Sequence, residues 1–218
     1  MPAAVIFDLD GVVVESESLW DDARRQLVEE SGGTWKDEAQ QAMMGMSSSE
    51  WADYMREELG VPMSSEEISD AVVERLAVLY RERLPLLPGA RDSVIALAQR
   101  WPLALASSAN RPLIELVLAL AGLTESFQAT VSSEEVARGK PAPDVYLEAA
   151  YRLGSEPARC VAIEDSTTGL RSAAAAGMGI VAIPNRGFPP DPEALALADV
   201  VLGSIESLEP GVVAALRS

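Results

Sequence analysis

The sequence contains no histidine, and this absence excludes several kinds of catalytic site at once. Ser-His-Asp and Cys-His triads depend on an imidazole base, and the usual zinc sites contain histidine ligands. Chemistry in this chain must therefore come from carboxylates, hydroxyls, Lys and Arg, or from a metal ion that prefers oxygen ligands.

Cysteine and long apolar runs are also scarce. The single cysteine, Cys160, lies in an apolar segment, so a disulfide framework is excluded and a role as a small core residue is expected. No apolar run is long enough to cross a membrane. The first predicted strand begins almost at Met1, and removal of an N-terminal leader would destroy it. We therefore expect a cytoplasmic protein without a membrane partner.

Positively charged residues are few. The chain has 17 Lys and Arg residues and 34 Asp and Glu residues, which give a net charge of −17. This balance argues against nucleic acid as a partner. It would also repel an anionic substrate unless a local cation reversed the field, which points towards a bound metal. The length of 218 residues allows a core domain with a smaller inserted one, and we expect a monomer or weak homodimer.

Residues 3–11, Ala-Ala-Val-Ile-Phe-Asp-Leu-Asp-Gly, form the most informative segment. A continuous apolar run that stops at polar residues is typical of a parallel strand buried on both faces. Because side chains alternate along a strand, Asp8 and Asp10 should point the same way. They would lie at the carboxyl end of the strand, where open α/β sheets bind ligands.

The rest of the chain divides into a helical segment and an alternating one. Between residues 16 and 84 only helical patterns are found, whereas from residue 85 onward strands alternate with helices. Alternation predicts a parallel sheet with helices on both faces. We therefore predict an α/β fold with a doubly wound parallel sheet, built from residues 1–15 and 85–218, and an all-helical domain inserted at 16–84.

Polar residues also follow two later strands of the predicted sheet. One strand runs into Ser107 and Ser108, whose hydroxyls precede a helix and suit an anion. Another strand ends in Glu164 and Asp165. Carboxylates from two strands at one sheet edge would repel each other unless a cation lay between them, and hard oxygen ligands suit Mg²⁺.

Lysine is used at only two positions, Lys36 and Lys140, in a chain with 15 arginines. Lys140 stands in the turn sequence Gly-Lys-Pro-Ala-Pro. A compact ammonium suits simultaneous contact with a phosphoryl oxygen and a carboxylate better than a planar guanidinium does. Lys140 is therefore a candidate phosphate-binding residue, although a surface lysine in a tight turn would fit the same sequence.

These segments, in this order, resemble the four motifs of the haloacid dehalogenase superfamily of phosphohydrolases. Asp8–Gly11 matches the first motif, Ser107 the second, Lys140 the third and Glu164-Asp165 the fourth. The helices at 16–84 are similar to the cap domain of the β-phosphoglucomutase-like branch. The resemblance covers nearly the whole chain, and it implies a core of the same α/β type with a helical cap.

The resemblance also implies catalytic and phosphate-binding roles. Asp8 would be the nucleophile that forms an aspartyl-phosphate, and Asp10 would be the general acid and then the general base. Ser107, Ser108 and Lys140 would bind the phosphoryl oxygens. The expected partner is a small-molecule phosphate ester.

For the cofactor, the resemblance implies Mg²⁺. The ion would be held by Asp8, by the backbone carbonyl of Asp10 and by Asp165, with Glu164 assisting directly or through water. The ion and Lys140 would together make a small positive site on an acidic protein, which removes the difficulty of binding an anion.

Specificity is expected to depend on the cap, in residues 15–20 and 43–51. The candidate substrate contacts there are Glu15, Trp20, Ser47 and Ser48. The sequence around residues 15–20 resembles bacterial sugar-phosphate phosphatases, including those that act on hexitol phosphates. We therefore predict hydrolysis of sugar or polyol phosphates.

Two alternatives are kept. A β-phosphoglucomutase would need a histidine and an arginine in the cap, and by register Trp20 and Ser47–Ser49 stand in their places. Loss of that cation should weaken binding of a bisphosphate considerably. The alternative from another class is a phospho-acceptor switch or an inactive binding module. The helical insertion argues against the switch, and the presence of every motif position argues against the inactive module.

Overall fold

A six-stranded sheet forms the centre of the protein, whose computed structural model describes residues 1–44 and 46–216. The strand order is β3-β2-β1-β4-β5-β6, and every neighbouring pair is parallel. This is the doubly wound order in which the chain reverses direction across the sheet beside β1. The strands are β1 Ala4–Phe7, β2 Leu103–Ser107, β3 Ala129–Ser132, β4 Cys160–Glu164, β5 Gly179–Ala182 and β6 Val200–Val201.

The helices lie between these strands and in the inserted segment. They are α1 Glu17–Glu30, α2 Ala39–Met43, α3 Ser48–Glu57, α4 Ser65–Glu82, α5 Ala90–Ala98, α6 Arg111–Ala121, α7 Asp144–Arg152, α8 Thr167–Ala175, α9 Pro192–Leu195 and α10 Pro210–Ala215. The short helices α2, α9 and α10 were not predicted. None of the described helices has both the length and the apolar character needed to cross a membrane. The predicted cellular location and oligomeric state stay predictions.

The apolar run in β1 separates two hydrophobic clusters. Val5 and Phe7 belong to the cluster on one face of the sheet, and Ala4 and Ile6 belong to the cluster on the other. All four residues are fully buried. The predicted doubly wound sheet, with helices packed on both faces, is confirmed.

In helices α3 and α4, capping residues stand directly before an apolar stripe, so both sequence features favour a helix over the same residues. Ser47 and Ser64 each make a capping box with the glutamate three residues later, which satisfies free N–H groups at the starts of α3 and α4. Helix α4 packs against both α1 and α3. We propose that residues 16–84 form the cap and that residues 1–15 and 85–218 form the core.

The register of the sheet brings the ends of three strands together. Phe7 of β1 lies opposite Leu105 of β2 and Ile163 of β4. The residues that follow these positions therefore meet at the carboxyl edge, where β1 is flanked on both sides. This edge carries the site.

Candidate active site

A small cavity lies between the carboxyl edge of the sheet and the inserted helices. Its free volume is about 60 Å³, far below the roughly 300–1,000 Å³ of common ligand pockets. From the core, Asp8, Asp10, Ser108, Lys140 and Asp165 face it. The inserted helices contribute Glu17, Trp20, Arg24, Met43 and Trp51, among others. Side chains from the core and from the inserted helices therefore surround the same space.

Lys140 links two carboxylates beneath the cavity. Its Nζ lies 2.9 Å from Oδ1 of Asp8 and 2.6 Å from Oε1 of Glu164, and its side chain is 2% exposed. Burial lowers the pKa of Lys140, but the two carboxylates outweigh this effect and hold the pKa above its usual range. Burial raises the pKa of Asp8 to about 8, although Lys140 opposes the shift. Lys140 therefore keeps its charge and balances only part of the negative charge around it.

Glu164 anchors this arrangement rather than facing the cavity. Its Oε1 accepts hydrogen bonds from Lys140 and from the hydroxyl of Tyr146 at 2.7 Å. Its Oε2 accepts from the backbone N–H groups of Asp165 and Ser166 and from the Ser166 hydroxyl. Both oxygens are thus engaged by protein donors. A Cβ at Gly169 would lie 1.9 Å from this carboxyl group, so only glycine fits there.

Three carboxylates are close enough to share a metal ion. One oxygen from each of Asp8, Glu164 and Asp165 lies within 4.8 Å of the others, and all three residues are buried. Burial, together with Glu164 and Asp8, raises the pKa of Asp165 well above its usual range. A Cβ at Gly11 would come within 1.9 Å of Oδ2 of Asp165, so this glycine gives the carboxylate its space. Buried carboxylates that destabilise one another's charge form a donor set that fits a hard divalent cation.

Asp10 is contacted by the first residues of the inserted segment. Its Oδ1 accepts hydrogen bonds from the hydroxyl of Ser16 and from Nε1 of Trp20, the latter at 3.3 Å. Burial raises the pKa of Asp10, although both hydrogen bonds oppose the shift. A carboxyl group with a raised pKa can hold a proton and release it to a departing alkoxide. Ser16 was not anticipated from the sequence.

The two serines at the carboxyl end of β2 take different positions. Ser108 faces the cavity, whereas Ser107 is fully buried and its Oγ accepts the backbone N–H of Ala109 at 3.0 Å. A hydroxyl that accepts one hydrogen bond can still donate its own hydrogen. Ser107 therefore orders this loop and retains a donor.

The cap candidates separate into one that reaches the cavity and three that do not. Trp20 is 6% exposed and touches Asp10. Glu15 is exposed and lies beside a different cavity, near Asn185. Ser47 caps α3 through Glu50. Together with Ser48 it faces the core loop around Gly139, where a Cβ would lie 3.4 Å from Ser47.

Arg24 is the main cavity residue that sequence reasoning missed. It lies on α1, is 6% exposed and faces the same space as Asp8 and Lys140. The guanidinium carbon is 4.7 Å from the ring centre of Trp20 and 4.9 Å from that of Trp51. The sequence argument against a mutase concerned a histidine and an arginine missing at Trp20 and at Ser47–Ser49. Arg24 places a cation in the same cavity from a different position on the inserted helices.

Glu17 faces the cavity from the start of α1; it lies in the segment 15–20 that was expected to carry specificity, although it was not named as a site residue. Burial and the neighbouring Asp10 raise the pKa of Glu17 to about 7. The spacing of the sequence contained a signal for Arg24: Trp20, Arg24, Leu27 and Val28 recur every three or four residues and share the buried face of α1.

Comparisons with known proteins agree with this geometry. A family model described as a haloacid dehalogenase-like hydrolase matches residues 2–177. Hexitol phosphatase B of Escherichia coli strain K12 is 36% identical over 211 residues, which cover 94% of this chain and 93% of that protein.

Two solved structures cover nearly all of the chain. CbbY from Rhodobacter sphaeroides in complex with phosphate has a TM-score of 0.83 at 31% identity, covering 95% of this chain and 96% of its own. β-Phosphoglucomutase from Clostridium difficile has a TM-score of 0.84 at 23% identity, covering 98% of this chain and 96% of its own. The second likeness concerns the fold alone.

These findings confirm the predicted family, fold and enzyme class, a phosphatase. The carboxylate cluster fits the divalent metal that the family generally uses. The four motifs, the strand order and the family match lead to one conclusion. The chain belongs to the haloacid dehalogenase-like hydrolases.

Proposed function

We propose that this protein is a Mg²⁺-dependent phosphatase that hydrolyses small sugar or polyol phosphate monoesters through an aspartyl-phosphate on Asp8. The observation that carries the proposal is the surroundings of Asp8. Its Oδ1 lies 2.9 Å from Lys140, its other neighbours include Asp165, and Asp10 lines the same cavity. A nucleophile, a phosphate-binding cation, a metal site and a proton donor thus meet in one space.

In the first step, a carboxylate oxygen of Asp8 attacks phosphorus and the bond to the substrate alcohol breaks. Asp10 gives its proton to the departing alkoxide, and its raised pKa supports this role. In the second step, Asp10 takes a proton from water as the water attacks the phosphorus of the aspartyl-phosphate. Inorganic phosphate leaves, and both carboxyl groups return to their starting states.

The transferring phosphoryl group carries charge on its free oxygens, and positioning and neutralising that charge is the main task of the site. Lys140, Ser107 and Ser108 are the proposed donors to these oxygens. Glu164 is proposed to act chiefly through Lys140, because all its contacts are with protein donors.

Asp8, Asp165 and the backbone carbonyl of Asp10 are proposed to hold Mg²⁺, with Glu164 beside them. The bound ion would supply positive charge next to the nucleophile and the phosphoryl oxygens. Three buried carboxylates around one ammonium support a divalent cation because their mutual repulsion is otherwise incompletely balanced.

Sugar and polyol phosphates are proposed because the 36% identical relative, over 94% of this chain, is named a hexitol phosphatase. A phosphomutase is the second candidate, since the buried Arg24 gives the cavity a cation that could hold a second phosphate. Hydrolysis is favoured because the relative that is 36% identical is named a phosphatase, whereas the solved structures named β-phosphoglucomutase or putative β-phosphoglucomutase are 23% and 29% identical.

The test is an assay of phosphate release with Mg²⁺ from hexitol, hexose and triose phosphates. Asp8→Asn should lower kcat by at least about 10⁴-fold, as expected when a nucleophile is removed, and chelation of the metal should also abolish release. β-Glucose 1-phosphate with trace 1,6-bisphosphate is followed separately for glucose 6-phosphate. Isomer formation without phosphate release would establish the mutase instead. An Asp8→Asn variant as active as the wild type would overturn the proposed mechanism.

A further inference from the structure

In the part of the chain that the structure describes, Arg24 is a buried cation that forms no ion pair, although Glu17, Asp10 and Asp21 are near enough to favour its charge. Its side chain lines the cavity, its residue is 6% exposed, and its Nε hydrogen has no acceptor. Among the described residues, no carboxylate forms an ion pair with it. Burial lowers its pKa to about 10, although Glu17 and Asp10 oppose the shift, so the guanidinium is still charged at neutral pH.

An unpaired buried charge costs several kcal/mol of solvation free energy. An apolar side chain of similar volume would fill the same space without that cost. Packing therefore does not explain why a guanidinium is present here. A ligand that pairs with it does.

The two indole rings orient the Arg24 side chain but do not accept hydrogen bonds from its N–H groups. The guanidinium carbon lies 4.7 Å and 4.9 Å from the ring centres of Trp20 and Trp51, which are 5.9 Å apart and steeply inclined to one another. Ring faces attract the positive charge but do not replace acceptors for the N–H groups in the guanidinium plane. Those donors match a carboxylate or phosphoryl group, which can accept two parallel hydrogen bonds.

The position of Arg24 identifies which part of a substrate it would meet. Trp20 contacts Asp10, the proposed acid for the leaving group, and Arg24 lies one helical turn further along α1. Lys140, by contrast, touches Asp8 in the core. Arg24 thus faces the leaving group, beyond the bond that breaks.

We propose that Arg24 binds a second anionic group, a carboxylate or a phosphoryl group, on the leaving-group side of the substrate. The inference rests on the proposed phosphatase function and narrows its substrate class to esters with two anionic groups. Glu17 faces the same cavity without an ion pair to Arg24 in the described structure, and it offers an acceptor for a neighbouring hydroxyl.

Matched substrates test this proposal. Gluconate 6-phosphate carries a carboxylate at the end where glucitol 6-phosphate carries a hydroxymethyl group. Fructose 1,6-bisphosphate and fructose 6-phosphate differ by a second phosphoryl group. We expect the wild type to prefer the doubly anionic member of at least one pair by about 10-fold or more in kcat/KM, and the pair that shows the preference identifies the group bound.

Arg24→Met should lower kcat/KM for that doubly anionic ester by about 30-fold or more, mainly through KM, because a buried charge-assisted contact is lost. The same substitution should change kcat/KM for the singly anionic ester by less than about 3-fold, a difference expected when no contact is removed. Arg24→Lys should retain part of the preference. The matched control is Arg25→Met, since Arg25 is an exposed neighbour on α1 that should leave the preference unchanged.

Calorimetric binding of the same esters to Asp8→Asn, with and without Arg24→Met, separates this proposal from the proposed function. A charge preference in binding that depends on Arg24, without hydrolysis by the wild type, would support the anion site and overturn the phosphatase. Hydrolysis without a charge preference, or equal losses on both members of each pair in a variant with an unchanged melting temperature, would overturn the role of Arg24.

Discussion

The two walls of the active-site cavity differ in how their polar groups are satisfied. On the core wall, Lys140 pairs with Asp8 and Glu164, and both oxygens of Glu164 accept hydrogen bonds. On the wall formed by the inserted helices, Nε of Arg24 is buried without an acceptor among the described residues. The cation on the core wall is thus paired within the protein, whereas the cation on the opposite wall is not paired among the described residues.

This difference matches two separate tasks. Every phosphate monoester presents the same phosphoryl group, so the groups that bind it can be fixed in advance by one another. The leaving group varies from substrate to substrate, and its binding groups gain their partners only when the correct molecule enters. Buried donors that only one ligand satisfies also reject molecules that lack the matching group.

The largest expected effect comes from breaking the core wall. Lys140→Met should lower the free energy of unfolding by about 3–5 kcal/mol, because it leaves two buried carboxylates without their cation. It should also lower kcat by at least about 100-fold. Arg24→Met should change the free energy of unfolding by less than about 1 kcal/mol, since relief of an unpaired charge offsets the lost ring contacts. Urea unfolding of both variants measures this contrast, and equal losses would contradict it.

The next effect concerns the space around Glu164. Gly169→Ala would place a Cβ 1.9 Å from the Glu164 carboxyl group. Overpacking of this kind should lower the free energy of unfolding by about 3 kcal/mol. Gly203→Ala is the control, because nothing lies within 4 Å of its Cβ. Thermal unfolding compares the two, and an unaffected Gly169→Ala protein would show that Glu164 can move without loss.

A smaller effect is expected from one donor to Glu164. Tyr146→Phe removes the 2.7 Å hydrogen bond to Oε1 and should cost about 2 kcal/mol, as for a buried bond to a charged group. Tyr151→Phe, on the same helix α7 but 78% exposed, should change stability negligibly. Chemical unfolding of the two variants would show whether the core wall depends on this donor.

The smallest effect tests the other wall through Glu17. The pKa of Glu17 is about 7 in the folded protein against 4.5 for an ordinary glutamate. The raised pKa of Glu17 contributes its full stabilisation of the folded state below pH 4.5, where the carboxyl group is neutral. This contribution is lost as the pH rises through 7 and the group ionises. Glu17→Gln should therefore unfold like the wild type at pH 5 and be more stable by about 1–2 kcal/mol at pH 8. Melting curves at the two pH values make the comparison, with Glu29→Gln at an exposed position on α1 as the control substitution.

The positions of Asp8 and Glu164 on the core wall could be predicted from the sequence because each residue stands where an apolar strand ends. An apolar run that stops at Asp8 and another that stops at Glu164 place both residues at one edge, once the strands are parallel. The five-residue helix α2 escaped prediction because it is too short to show an apolar stripe.

The wall formed by the inserted helices depends instead on how those helices dock onto the core. Local patterns could not show that Ser47 would face a core loop or that Glu15 would turn towards Asn185. Tyr146 has the pattern of an ordinary core residue on α7, and the use of its hydroxyl follows only from the tertiary structure. Arg24 was visible in the periodicity of α1, but a charged residue at a buried position is easily assigned to the solvent-facing side.

The contact between Trp20 and Asp10 also gives the protein an internal optical reporter. Trp20 belongs to the inserted helices, whereas Asp10 follows the first strand of the core, so their 3.3 Å hydrogen bond exists only while the two parts are closed. Opening would expose an indole that is now 6% accessible and would separate it from the core carboxylate. Its contribution to the emission of the four tryptophans should then shift to longer wavelength, so that a Trp20→Phe variant, which lacks this contribution, shows which part of the signal reports the opening.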